Sequence, residues 1–353
     1  MENADMGINF VTPLPKGQTS KCISPATVTK CFSETEVVNR MDPWDNKINL
    51  NCKSLEFEFT DSPINKKKIA GGELSKSPWS QGLSHPKRDV MLTRKFSTWL
   101  AACVHDDLDR EWIMHAVPRY VEVSGTDLKN MLCGRATMSY NLFDVAIRRL
   151  NQLDRLMHAL KHLIHWRHIV ESDFAMLVFA GEEVTANSSV RKQFIGEEVL
   201  HQIESCRMIT IPALVRETWC AYFCDLKMKK FHVVDPLYKH EEHGRFDEVH
   251  QPNVCSLKLA LSLCFIEFFE GWNPNIANFG ISYVKPLTQN ADNVDSGVLT
   301  LIVVRDFNGT DFSSLNGQDF IKCFKEQLLH ELLSIRGNNA NTPSNFVESI
   351  DLE

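Results

Sequence analysis

The chain has 353 residues, 43% of them hydrophobic and 24% charged, with a formal net charge of −7. That supplies apolar side chain for one large core or two ordinary ones, and the acidic balance gives no electrostatic case for nucleic acid or an anionic membrane. No apolar run approaches the roughly eighteen residues a membrane helix needs, and the start MENADMGINF lacks a signal peptide's basic-then-apolar layout,. A protein of the nucleus or cytoplasm is therefore expected. The eleven cysteines lie mostly in apolar segments such as Leu263-Cys264-Phe265, which predicts buried thiols in a reducing compartment and no disulfide framework.

Residues 1–90 are rich in Ser, Thr, Pro, Asn and Lys, with short apolar pieces such as Leu55-Glu56-Phe57-Glu58-Phe59. Such a segment cannot offset its ordering entropy by burial and is predicted to be largely disordered. Its basic runs, Lys66-Lys67-Lys68 and Lys87-Arg88, read as solvated charge, with nuclear import as the sharper reading,. An ordered domain is predicted over 91–340, its core at 190–340, with a flexible tail at 341–353. Extended chain is expected at Glu111-Trp112-Ile113 and from Arg119 to Val123. Helical spacing then runs from Tyr140 to Val170, carried by Leu142, Val145, Ile147, Leu150, Leu153 and Leu156,. A helix over Val190–Ser205 is followed by strands Met208–Leu214, Trp219–Leu226 and Phe231–Val234,. His240–Val254 reads as a polar loop, Ser256–Glu270 as an apolar helix, and Asp319–Ile335 as an amphipathic helix stopped by Gly337-Asn338-Asn339,. Val298–Val304, rich in β-branched residues, reads on its own as a buried strand,.

Two histidine clusters invite a metal reading. His158, His162, His165 and His168 would line one helical face, but no cysteine or carboxylate completes a ligand set nearby, and a polar helix edge explains them,. His240-Glu241-Glu242-His243, with Asp247 and His250, lacks the four-residue histidine spacing of zinc proteases and reads as a solvated loop,. No metal and no cofactor is expected. Cys220 and Cys224 share a strand face with Thr218 and read as structural,. His232 and Asp235 would face opposite ways, so His232 is a poor base for Asp235 to orient.

Four segments in order, Ile211-Pro212-Ala213-Leu214, Thr218-Trp219, Val233-Val234-Asp235-Pro236-Leu237 and Asp295-Ser296-Gly297-Val298, carry a family likeness. They resemble the ubiquitin-like-protein-specific (SUMO) protease family of cysteine peptidases, and its divergent plant members above all. Trp112-Ile113-Met114-His115, Pro118-Arg119-Tyr120, Arg148-Arg149-Leu150-Asn151-Gln152-Leu153-Asp154 and Asp173-Phe174-Ala175 extend the likeness upstream. Asp306-Phe307-Asn308-Gly309 and Phe324-Lys325-Glu326-Gln327-Leu328 extend it downstream, so that it spans 95–340. The resemblance implies an α+β, papain-like cysteine-protease fold, a small antiparallel sheet flanked by helices. It makes Ser296 the start of a buried central helix, against local strand propensity. It also places Asp235 at the family's acid, Trp219 at the substrate-binding tryptophan after the catalytic histidine, and Gln289 or Asn290 at the oxyanion amide. Thr218 stands at the histidine position, and Ser296 at the nucleophilic cysteine.

Those two replacements decide the chemistry that the resemblance implies. A histidine takes the thiol proton, an aspartate orients the imidazole, and the thiolate attacks the carbonyl. Threonine cannot accept that proton near neutral pH, and serine is far less acidic than cysteine, so losses on the order of 10⁴-fold are expected. Asp235 is left to bond Thr218 or solvent. The reading is a catalytically inactive relative that binds a ubiquitin-like modifier or another protein. The alternative is an active isopeptidase using Ser296, with His201, His240 or His243 swung in as base. A third is a decaying copy from a plant mobile element. Restoring Thr218→His with Ser296→Cys is expected to return some cleavage if the scaffold is intact.

Overall fold

The computed structural model describes residues 90–104, 106–161, 167–239, 242–285, 292–310 and 318–347. Residues 1–89, His162, His165, His240, Gln289 and Asn290 therefore lie outside the described residues. The amino-terminal part comprises α1 (Val90–Ala102), the antiparallel pair β1 (Glu111–His115) and β2 (Val121–Ser124), α2 (Gly125–Cys133) and α3 (Tyr140–Lys161). After β3 (Arg167–Ile169) come α4 (Ser172–Ala180), α5 (Ser188–Ile195), β4 (Met208–Val215), β5 (Thr218–Asp225) and β6 (Lys230–Val234). The chain continues through α6 (His243–Phe268), β7 (Gly280–Tyr283), α7 (Ser296–Asp306), α8 (Gln318–Leu333) and α9 (Ser344–Val347).

The larger sheet has strand order β3-β4-β5-β6-β7. Its centre, β4-β5-β6, is antiparallel as expected, while β3 and β7 join in parallel at the edges. Every residue of β5 is buried, because both faces of the sheet are covered. Alternation along β5 sorts the side chains into two cores. Trp219, Ala221 and Phe223 join α3, α7 and α8 on one side. Cys220, Tyr222 and Cys224 join α4, α5 and α6 on the other.

Helix α7 is the centre of the first core, and all eleven of its residues are buried. Its β-branched run favours a strand by propensity alone, but complete burial against β5, α3 and α8 outweighs a preference worth tenths of a kcal/mol per residue. Thr300 Oγ1 donates to the Trp219 carbonyl at 2.9 Å, which ties the helix to β5. At the other end Arg167 donates to the carbonyls of Val304 and Arg305 at 2.9 and 2.7 Å and pairs with Asp154 at 2.9 Å. A buried guanidinium thus satisfies the last helix carbonyls and favours the negative end of the helix dipole.

Several sequence expectations give way here. The helix predicted to Val170 ends at Lys161, and Arg167–Ile169 is a strand in parallel register with Met208–Thr210. His168 is consequently on a strand, with Nδ1 3.3 Å from His201 Nε2, and not on a histidine-lined helix face. The helix predicted over Val190–Ser205 stops at Ile195, where Gly196 turns extended, and only Ile203–Ser205 regains a helical turn. The polar loop expected over His240–Val254 is instead helix from His243 onward, with exposed Pro252 accommodated inside it. The tail expected to be flexible contains α9, which buries Phe346 against Phe96 and His330.

Strands β4 and β5 are joined by only two residues, Arg216 and Glu217, between the paired Val215 and Thr218. Both have positive φ, 49° and 65°, as a tight hairpin of this twist requires. Non-glycine residues there cost about 1–2 kcal/mol each. On the outer side of β1, Asn338 substitutes for a strand: its side chain accepts from Met114 N–H and donates to Trp112 O, both at 3.0 Å. Asn339 N–H then donates to Met114 O at 2.9 Å.

Candidate functional site

Thr218 begins β5, Asp235 follows β6, and Ser296 begins α7. The structure brings Thr218 and Ser296 together through Asn293. Thr218 Oγ1 donates to Asn293 Oδ1 at 2.9 Å, and Ser296 Oγ donates to the Asn293 carbonyl at 2.6 Å. Ser296 Oγ also accepts the backbone N–H of Trp219 at 3.1 Å, and Ser296 is fully buried. Each hydroxyl is spent on a neutral partner. A backbone carbonyl and an amide oxygen are too weakly basic to take a hydroxyl proton, so this arrangement holds Ser296 as an alcohol. Gly297 next to it admits the side chain of Met138, which a Cβ would approach to 2.9 Å.

Trp219, expected to touch substrate, is entirely buried. Its indole stacks on Phe143 with centroids 3.8 Å apart, meets Tyr140 edge-on, and donates Nε1–H to the Met138 carbonyl at 2.9 Å. Its place is in the core beneath the site, because alternation along β5 turns it toward α3 and α7.

Among the described residues Asp235 is hydrogen-bonded to His250 and not to Thr218. Its Oδ2 lies 3.0 Å from Nε2 of His250, and its Oδ1 accepts the N–H of Leu237 at 2.7 Å. His250, fully buried on α6, places Nδ1 2.9 Å from the Tyr222 hydroxyl, which also accepts from Asn253 at 3.1 Å. Burial and the neighbouring Cys220 raise the Tyr222 hydroxyl well above its usual pKa, so it stays a donor,. With Asp235 ionised, Nε2 carries the imidazole proton and Nδ1 accepts from Tyr222, so one tautomer satisfies the whole chain. The carboxylate thus orients an imidazole, but one that serves a buried tyrosine. His250 was visible in the sequence only as part of a polar run that looked like a loop. Once α6 is extended back to His243, the helical spacing of His250 with Val254, Leu257 and Leu261 marks it as inward-facing,.

Of the imidazoles considered as bases, His240 lies outside the described residues, His201 is engaged with His168, and His243 Nδ1 lies 3.2 Å from the Tyr238 hydroxyl. Among the described residues no histidine hydrogen-bonds Ser296. The described cysteines are all free thiols, and burial pushes Cys206, Cys220 and Cys224 well above the ordinary thiol range. Cys255 and Cys323, by contrast, are exposed.

One group of carboxylates has the spacing to hold a cation: oxygens of Asp144, Glu171 and Asp173 lie within 4.8 Å of one another, all buried. Two guanidiniums already take that role. Arg148 pairs bidentately with Glu171 at 2.7 and 3.0 Å, and Arg119 reaches Asp144 at 2.5 Å. Three ionised carboxylates against two cations would leave an excess negative charge in the interior. Burial, with Asp144 and Asp173 adding and Arg148 opposing, pushes Glu171 up to about 8,. The folded state holds a proton that the unfolded chain releases near pH 4.5, so this stabilisation is complete below that pH and lost as pH rises toward about 8,. The denaturant midpoint of the wild type is expected to fall over that window. Glu171→Gln, which cannot titrate, should flatten the decline.

No protein-family model matches the chain, and no curated protein matches it in sequence. Solved structures do match. The SUMO protease Ulp1 with its catalytic cysteine oxidised to a sulfonic acid aligns over 70% of this chain and 97% of its own, with a TM-score of 0.50 and 14% identity. The Ulp1-like SUMO protease catalytic domain of Chaetomium thermophilum covers 78% of this chain and 98% of its own, at 0.48 and 12%. The C-terminal Ulp1 protease domain in complex with SMT3, the yeast ortholog of SUMO, covers 71% and 98%, at 0.47 and 12%. The first of these matches over nearly its whole length, and the chain has the fold of the Ulp1 protease domain.

Proposed function

We propose that the chain is a catalytically silent protein of the SUMO-protease type that acts by binding a ubiquitin-like modifier. One observation carries the reading. Ser296, at the start of the central helix, is fully buried and its hydroxyl is bonded to the Asn293 carbonyl and the Trp219 amide, with no imidazole in reach among the described residues. Without a base, serine attack on an isopeptide carbonyl loses most of its rate. The shared fold supports the choice of modifier class, since the matching protein is a SUMO protease. We assign the binding to residues 91–340 and place the protein in the nucleus or cytoplasm.

Purified protein incubated with a SUMO conjugate and, separately, a ubiquitin conjugate is expected to release no product above a protein-free control, while titration calorimetry detects binding of free modifier. Cleavage that disappears in Ser296→Ala would overturn the silent reading and establish the isopeptidase.

A further inference from the structure

We propose that the two-residue tip Arg216-Glu217 is a specificity-determining contact for the bound modifier, an inference that rests on the binding reading above. The tip is the one place among the described residues where two consecutive non-glycine residues have positive φ. A hairpin of this length is relaxed by Asn-Gly, whose residues enter the left-handed region at little cost. The strain cannot dissipate into the flanks. Val215 pairs with Thr218 and Leu214 with Trp219 on either side, and Trp219 N–H is fixed to Ser296 on the central helix.

The hairpin requires the positive φ, but no internal side-chain contact accounts for placing Arg and Glu there. Arg216 and Glu217 are both exposed, and among the described residues neither side chain makes a hydrogen bond or an ion pair. Backbone strain held without an internal contact marks a position kept for what its side chains meet outside. The location fits that use, because the tip directly precedes Thr218 and so stands at the rim of the Thr218–Asn293–Ser296 cluster. Its chemistry is a guanidinium and a carboxylate on adjacent residues. The complementary surface is a folded modifier presenting an acidic and a basic side chain next to each other, the acidic one suited to bidentate pairing with Arg216.

The test uses the full chain and two variants that leave Thr218, Trp219, Asn293 and Ser296 untouched. Arg216→Asn with Glu217→Gly relaxes the turn and removes the charges; Arg216→Glu with Glu217→Arg keeps the strain and swaps them. Free SUMO and free ubiquitin are titrated calorimetrically into each, and thermal midpoints are recorded. The relaxed variant is expected to melt about 2–4 °C higher than wild type, yet to bind the modifier about tenfold or more weakly. The swapped variant should lose affinity to a similar degree with an unchanged melting temperature. Wild-type affinity in both variants would overturn the role of the tip and leave the binding reading standing. A wild-type chain that binds neither modifier would overturn both.

Discussion

Replacing His250 with leucine is expected to destabilise the fold by about 3 kcal/mol, the cost of leaving a buried carboxylate and a buried phenol without their partner. Leucine fills much of the volume, so the loss reports the polar contacts more than a cavity. The two stranded groups are Asp235, with Leu237 N–H as its remaining donor, and Tyr222, left with Asn253 and the Cys220 thiol. Asp235→Asn in the leucine background removes the stranded charge and should recover part of the loss. A double-mutant cycle by urea unfolding should give a coupling of about 1.5–3 kcal/mol between positions 235 and 250. Additive losses would mean that the 3.0 Å contact contributes nothing. The coupling also bears on repair. Thr218→His with Ser296→Cys restores a base and a thiol, but the new imidazole meets an Asp235 whose Oδ2 is already bonded to His250. Cleavage by that pair alone is therefore expected to stay at background, contrary to what the sequence suggests.

Arg167→Met is expected to cost about 3–5 kcal/mol, as removal of one member of a buried ion pair does. Arg167 is 2% exposed, and its guanidinium serves three sites at once: Asp154 on α3 and the carbonyls of Val304 and Arg305 at the end of α7. Methionine matches the stem and not the charge, so Asp154 and the helix end lose their shared donor together. The loss should appear in global unfolding, since α7 is central. Hydrogen exchange should rise first at the α7 amides. A variant within 1 kcal/mol of wild type would show that water replaces the guanidinium.

What the sequence made legible follows from how each segment meets its neighbours. Strands β4, β5 and β6 were readable because alternation and turn residues are local properties. The Asp295-Ser296-Gly297 site and the helix after it were readable only by resemblance, since Val298–Val304 favours a strand until its surroundings are known. His250 was hidden for the opposite reason. Polar residues and Pro252 disguise the first half of α6 as a loop, and its buried histidine is explained by Tyr222 on β5 and Asp235 just after β6. Asn293 was missed because an asparagine in a polar loop carries no pattern; its role comes from meeting Thr218 and Ser296 in space. Arg167 sat in a run read as helix, where periodicity cannot reveal a three-residue parallel strand.

The asparagine lying along β1 has a consequence for association between molecules. Trp112 and Met114 direct backbone groups outward, and Asn338 with Asn339 occupies them. Were the chain cut after Gly337, those groups would be bare on a strand whose Trp112 and Ile113 side chains are buried. A bare edge of that kind recruits the same edge of another molecule. The last turns of the described chain therefore act as a guard against self-association, and a shortened protein should show it in its concentration-dependent light scattering before it shows it in its binding.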